Sequence, residues 1–261
     1  MDTRFLYFAG PCVIEDEATT IAIARDLKRI TADFNLEFVF KASFDKANRT
    51  SLGSYRGPGL EAGLAILQTV KDEVGVKVMS DVHEVHQVEA AAAVLDVIQI
   101  PAFLCRQTDL LVEAGRTMKV INLKKPQFAA PEDMQYAAEK VASTGNSTIL
   151  LTERGASFGY HNLVVDFRSF SVLAALGYPV IFDATHSVQI PSQGGTSGGR
   201  REYIAPLARA ATAYGIDGLF TEVHPHPDRA LSDGPNSLTM DAVAPLLRQV
   251  FDIRAALGEE S

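Results

Sequence analysis

A single-domain (β/α)8 barrel, the TIM-barrel architecture, is the expected fold, for three reasons. Short apolar, β-branched or aromatic runs recur eight times along the chain, and a helix-like segment follows each of them. Spread over eight such units, 261 residues give about 33 residues apiece, which suits a closed barrel better than an open doubly wound sheet, the runner-up. No Pro/Ser-rich linker or charge block divides residues 1–261, so one domain is expected.

The strand segments fall at residues 5–9, 37–41, 77–80, 97–100, 120–123, 148–151, 180–182 and 218–221. Most are continuously apolar rather than alternating, as in parallel strands covered on both faces. Helices are expected at 18–33, 60–74, 84–93, 109–114, 131–143, 167–176, 201–214 and 237–256. In the first, Ile21, Ala24, Leu27, Lys28 and Ile30 place most apolar groups on one stripe, with Arg25, Asp26 and Arg29 outside it. Pro131 suits a first helical position, and Gly177 is a stop signal.

Composition narrows the function. Hydrophobic residues make up 47% and charged residues 21%, an ordinary globular balance. A net charge of −8 argues against a general nucleic-acid or anionic-membrane surface, so any anionic ligand must be held by a few local cations. No apolar run approaches the roughly 20 residues of a membrane span, the start lacks the basic region of a signal peptide, and Cys12 and Cys105 alone make no disulfide framework. The expected compartment is the cytoplasm.

In a barrel of this kind the residues just after the strands gather at one rim, where the chemistry takes place. Here they are Cys12; Lys41, Ser43 and Lys46; Asp81; Gln99 with Ala102; Lys124; Arg154; Asp183 and His186; and Glu222. Turn residues alone would be mainly Gly, Asn, Pro and Ser. Four cations, Lys41, Lys46, Lys124 and Arg154, aimed into one mouth make an anion site for phosphate or carboxylate, although each taken singly reads as a solvated loop charge. A second group, Cys12, His186, Glu222 and Asp233, comes from the first, seventh and eighth rim segments, which are neighbours in a closed barrel. Its donors suit a divalent transition metal such as Fe²⁺, Zn²⁺ or Mn²⁺; the competing reading makes Cys12 a small buried hydrophobe. No Walker loop or GxGxxG follows a strand. The Gly-rich stretch 194–200 reads as a lid, and His83 and His86 as surface or packing residues without a third partner.

Specific motifs then appear in order: Ala9-Gly10-Pro11-Cys12, Phe40-Lys41-Ala42-Ser43-Phe44-Asp45, Lys46-Ala47-Asn48-Arg49-Thr50-Ser51, Tyr55-Arg56-Gly57-Pro58-Gly59, Gln99-Ile100-Pro101-Ala102-Phe103, Asp183-Ala184-Thr185-His186-Ser187, and His224-Pro225-His226-Pro227 through Ser232-Asp233-Gly234-Pro235. With them the chain, from about residue 5 to residue 251, closely resembles the 3-deoxy-D-manno-octulosonate-8-phosphate synthases. The resemblance implies condensation of phosphoenolpyruvate with arabinose 5-phosphate and water, in the synthesis of the lipopolysaccharide precursor Kdo. It implies that Lys124, Arg154, Gln99 and the backbone at Ala102 hold the phosphoenolpyruvate phosphate, and that Lys41, Ser43 and Lys46 face its carboxylate. Arg49 and Thr50 would take the sugar phosphate, with Arg106 reaching in from a neighbouring subunit of a tetramer; Asn48 and Asp81 would meet the sugar's hydroxyls and aldehyde end.

That family has a metal-dependent class with Cys in the Gly-Pro-Cys segment and a metal-independent class with Asn there. Cys12 therefore implies the metal-dependent class, with Cys12, His186, Glu222 and Asp233 as ligands and His186 a bridge to the substrate. Thr50 departs from the commoner Ser but keeps the hydroxyl. The nearest rival is 3-deoxy-D-arabino-heptulosonate-7-phosphate synthase, which takes erythrose 4-phosphate and usually carries Lys-Pro-Arg-Thr-Ser; the stretch here is one residue longer, with an extra amide suited to a longer sugar. A Schiff-base aldolase using Lys41 or Lys124, and a catalytically silent barrel, are the other readings; a silent barrel would have lost rim charges that this chain keeps.

Overall fold

The computed structural model describes residues 4–49, 51–158, 161–193 and 196–259, with the backbone alone at 191–193, 196 and 197. Eight parallel strands close on themselves: β1 (Phe5–Gly10), β2 (Leu36–Lys41), β3 (Lys77–Asp81), β4 (Val97–Ile100), β5 (Val120–Lys124), β6 (Ile149–Glu153), β7 (Val180–Asp183) and β8 (Gly218–Glu222). The ring is sealed where β1 pairs with β8, Phe8 lying opposite Phe220 and Gly10 opposite Glu222. Outside it run α1 (Glu17–Thr31), α2 (Leu60–Val74), α3 (Val85–Val94), α4 (Thr108–Arg116), α5 (Met134–Ala142), α6 (Arg168–Ala174), α7 (Ile204–Tyr214) and α8 (Met240–Ala256).

Local chemistry fixes the ends of the helices. The Asp16 carboxylate caps α1 by accepting from Thr19 N at 2.8 Å, and Ile21, Ala24 and Leu27 turn inward as the stripe predicts. Three helices start three residues later than the sequence suggests. Residues 131–133 and 201–203 form single 3-10 turns before α5 and α7, while α8 begins only at Met240. The stretch 187–200 contains a two-stranded ribbon, in which Gln189 pairs with Gly199 and Ile190 with Gly198.

Alternation along the strands builds two cores and the mouth. Outward residues such as Tyr7, Phe40, Val78, Ile98 and Leu219 meet the helices. Inward ones, Phe8, Val39, Met79, Val97, Leu150, Ile181 and Phe220, fill the barrel interior. Each large side chain buried in this way contributes about 1.5–3 kcal/mol. Two residues further along, the same inward face carries Gly10, Lys41, Asp81, Gln99, Thr152, Asp183 and Glu222. The plug of apolar side chains is thus the floor, and the charged layer above it lines the mouth. Gly10 is required at the rim, because a Cβ there would lie 2.1 Å from the Lys41 carbonyl oxygen. No helix among the described residues is long and apolar enough to cross a membrane.

Candidate active site

Three cations come together on one wall of the mouth. Lys41, Lys124 and Arg154 are all buried. Lys41 Nζ donates to Ser43 Oγ at 2.9 Å and to the Cys12 carbonyl at 3.2 Å, with Asp81 and Glu222 oxygens 4.0 and 3.9 Å away. Ser43 Oγ in turn makes a short hydrogen bond to Asp81. Lys124 Nζ is held by Asp183 and stands 3.7 Å above the centre of the Phe220 ring. Arg154 donates to the His186 carbonyl at 3.3 Å and to Gln189 Oε1 at 3.0 Å. Burial pushes the Lys124 ammonium down to about 8, against the pull of Asp183. Lys46 is half-buried and the balance runs the other way: burial lowers its pKa, but Cys12, Asp81, Glu222 and Asp233 together raise it well above the ordinary range.

Beside these cations lies the second group. One ligand atom each from Cys12, Glu222 and Asp233 falls within 4.8 Å of the others. The Cys12 thiol donates to Asp233 Oδ2 at 3.1 Å and lies 3.0 Å from Ser232 Oγ. His186 Nε2 is 3.5 Å from Glu222 Oε1 and 3.9 Å from Asp233 Oδ2, while its Nδ1 is fixed by Asp183 at 2.7 Å. Asp233 sits in the left-handed region at φ 49°, a conformation that Asp tolerates better than most residues. Both Glu222 oxygens are buried without a hydrogen-bond donor. Two lone carboxylate oxygens facing a thiol, an imidazole and a second carboxylate fit a divalent cation, whose charge would satisfy them. Burial first, then Asp233 and Glu222, hold the Cys12 thiol well above its usual pKa. Asp183, by contrast, ionises readily: burial opposes this, but His186 and Lys124 outweigh it.

The remaining expected residues are less concentrated. Gln99 is buried and accepts from Asn122, and Ala102 opens a short 3-10 turn. Arg49 donates to Ser232 Oγ at 2.6 Å, which ties the 46–51 stretch to the loop carrying Asp233. Asn48 is exposed, and Thr50 lies outside the described residues. Arg106 is exposed as well, in a groove it shares with Phe128 and Tyr136.

Of the two readings for His83, surface or packing, the structure shows packing: its side chain is largely shielded, edge-on to Phe44, with Nε2 3.1 Å from Asp81 Oδ2, a polar partner the sequence did not reveal. His86, exposed beside Glu84, fits the original reading. Sequence reasoning also missed Gln189, which bridges Arg154 and Asp233, together with Ser232 and the Phe220 floor. The inward position of Phe220, two residues before Glu222, is the signal that could have found it.

The sequence profile described as the DAHP synthetase I family matches residues 1–257. The chain belongs to that family. Within the DAHP synthetase I family, a protein of Syntrophotalea carbinolica named 2-dehydro-3-deoxyphosphooctonate aldolase is 62% identical over 248 residues, covering 95% of this chain and 90% of the relative. Proteins of the same name from Desulfatibacillum aliphaticivorans and Geobacter sulfurreducens are 61% and 56% identical, over 96% and 97% of this chain and 92% and 94% of theirs. The resemblance drawn from the motifs therefore holds over nearly the whole chain. Within this family, the relatives' shared name favours the octulosonate reading over the heptulosonate one.

Proposed function

We propose that this chain is the enzyme that joins phosphoenolpyruvate to D-arabinose 5-phosphate with water, forming 3-deoxy-D-manno-octulosonate 8-phosphate and inorganic phosphate for Kdo synthesis. One observation carries the reading: in a chain of net charge −8, buried Lys41, Lys124 and Arg154 line the same mouth as Cys12, Glu222 and Asp233, with Lys41 Nζ 3.9 Å from Glu222 Oε1. Lys124, Arg154, Gln99 and the backbone at Ala102 bind the phosphoenolpyruvate phosphate. Lys41, Ser43 and Lys46 bind its carboxylate. Arg49 and Thr50 receive the arabinose phosphate, Asn48 and Asp81 meet the sugar's hydroxyls and aldehyde end, and Arg106 approaches from a neighbouring subunit of a homotetramer. Exposed Phe128 and Tyr136 beside Arg106 supply apolar surface for that contact. A cytoplasmic setting is supported by two buried cysteines that are free thiols.

A divalent iron, zinc or manganese ion held by Cys12, His186, Glu222 and Asp233 would polarise the aldehyde oxygen or acidify the attacking water. The protein's own part is chiefly positioning. Three anionic groups repel one another in free solution; two separate cation clusters hold them with the enol carbon against the aldehyde, which is worth up to roughly 7–11 kcal/mol of barrier. The enol carbon forms the new C–C bond to the aldehyde carbon, and the aldehyde oxygen takes a proton to become a hydroxyl. Positive character at the second carbon of phosphoenolpyruvate is quenched by water, which Asp81 or Asn48 orients and which gives up its proton. The hemiketal phosphate then loses inorganic phosphate and leaves the ketone. His186, oriented by Asp183, is placed to move a proton late in this sequence.

A phosphate-release assay tests the proposal. Turnover with phosphoenolpyruvate should be faster with arabinose 5-phosphate than with erythrose 4-phosphate; the reverse order refutes the choice of sugar. Borohydride should trap no covalent adduct, since no lysine forms a Schiff base.

A further inference from the structure

A polar chain leads to Gln99 through two residues, Thr152 and Asn122, that the proposed mechanism does not use. Thr152 on β6 and Asn122 on β5 point into the barrel and are wholly buried, while Gln99 on β4, opposite Asn122 in register, keeps 6% of its surface exposed. Thr152 Oγ1 donates to Asn122 Oδ1 at 2.5 Å, and Asn122 Nδ2 donates to Gln99 Oε1 at 3.4 Å. The Met79 sulfur, which can only accept, sits 3.9 Å from the same Asn122 nitrogen and opposes the flipped amide. A buried amide orientation is set by such partners, and each link here has one donor and one acceptor.

The consequence falls on Gln99. With Oε1 occupied by Asn122, its Nε2 makes no hydrogen bond among the described residues and is the end left for a ligand. In a mouth lined by Lys124 and Arg154, an unconstrained amide would turn its oxygen towards the cations, the wrong end for an anion. We infer that Thr152 and Asn122 are positioning residues, which polarise Gln99 so that it presents its amide N–H groups to the phosphate of phosphoenolpyruvate. This rests on the phosphate-binding role given to Gln99 above.

Thr152→Val keeps the shape and removes the hydroxyl; Thr152→Ser restores it. The valine variant should bind phosphoenolpyruvate roughly tenfold more weakly, the worth of one hydrogen bond to a charged group. Its kcat and its KM for arabinose 5-phosphate should stay within about twofold of the starting protein, and the serine variant should recover the affinity. A purely structural role would lower the melting temperature and leave that selectivity absent. Unchanged phosphoenolpyruvate affinity in Thr152→Val, or no recovery in Thr152→Ser, overturns the inference. If the valine variant does not fold, Asn122→Leu must show the same selective loss, and unaltered affinity there overturns it equally. Calorimetric binding of phosphoenolpyruvate alone separates this outcome from failure of the wider reading, which would appear as no phosphate release by the unaltered protein.

Discussion

Glu222 buries two carboxylate oxygens that no hydrogen bond satisfies; Lys41 Nζ, 3.9 Å from Oε1, supplies charge but no hydrogen bond, and a cation beside Cys12, His186 and Asp233 would offset the remaining cost. Treatment with a chelator should therefore abolish phosphate release, and added Fe²⁺, Zn²⁺ or Mn²⁺ should restore it. Cys12→Ala should lower metal content, measured by elemental analysis, at least tenfold under the same loading. Full activity in the chelated, metal-free protein would sink the metal assignment. Lys124 makes a separate prediction. Its ammonium is charged below about 8 and neutral above, and a phosphate ester binds the charged form. The KM for phosphoenolpyruvate should be flat below that pH and climb above it, approaching tenfold per pH unit; direct calorimetric binding of phosphoenolpyruvate to Lys124→Met should be weaker below that pH and lack the dependence. These groups were legible in the sequence because a Lys, Arg, Cys or His just after an apolar run is unlike a turn residue. Gln189 and Ser232 were not, since uncharged polar residues in a loop look alike until the fold shows which of them bridges Arg154 to Asp233 or Arg49 to Cys12.

The strands show why their functional ends are hard to read. All eight lie where the apolar runs place them, yet β3, β5, β6, β7 and β8 extend one or two residues further, to Asp81, Lys124, Glu153, Asp183 and Glu222. Charged residues are depleted in strands generally, so propensity stops the segment just where the barrel turns its inward face to chemistry. Helix starts failed for a different reason: a 3-10 turn and an α-helix share the same local preferences, as at 131–133 and 201–203. The end of β6 also carries a structural pair. Glu153 accepts from the backbone N–H groups of Arg154 and Gly155 at 2.9 and 2.6 Å, and Lys125, buried beneath, balances its charge at 3.5 Å. Lys125→Met leaves that carboxylate buried and uncompensated, a loss of about 3–5 kcal/mol. Thermal unfolding should show it, and Lys125→Met combined with Glu153→Gln should recover part of the stability. Equal melting temperatures for the single and double variants would mean that the charge is not what matters.

A barrel needs only its two periods, strand with helix and inward with outward, to be read from sequence, and both are present here, so the architecture was the most legible feature. What one chain cannot display is a site completed by another. Arg106 projects from the exposed groove with Phe128 and Tyr136 rather than joining the buried cations of its own mouth. If it serves a neighbouring subunit, Arg106→Ala and Lys124→Met each disable the protein, but for separable reasons. The first lacks a residue it lends; the second lacks one it keeps. Co-expressed at equal levels, the two variants mix within closed oligomers. A mouth then works when its own subunit retains Lys124 and the lender retains Arg106, a combination that random assembly gives in about a quarter of the sites. Phosphate release should therefore return to roughly that fraction of the unaltered rate in the mixed protein, with neither variant active alone. Were Arg106 to act within its own chain, every mouth would carry one lesion or the other, and the mixture would stay as inactive as its parents.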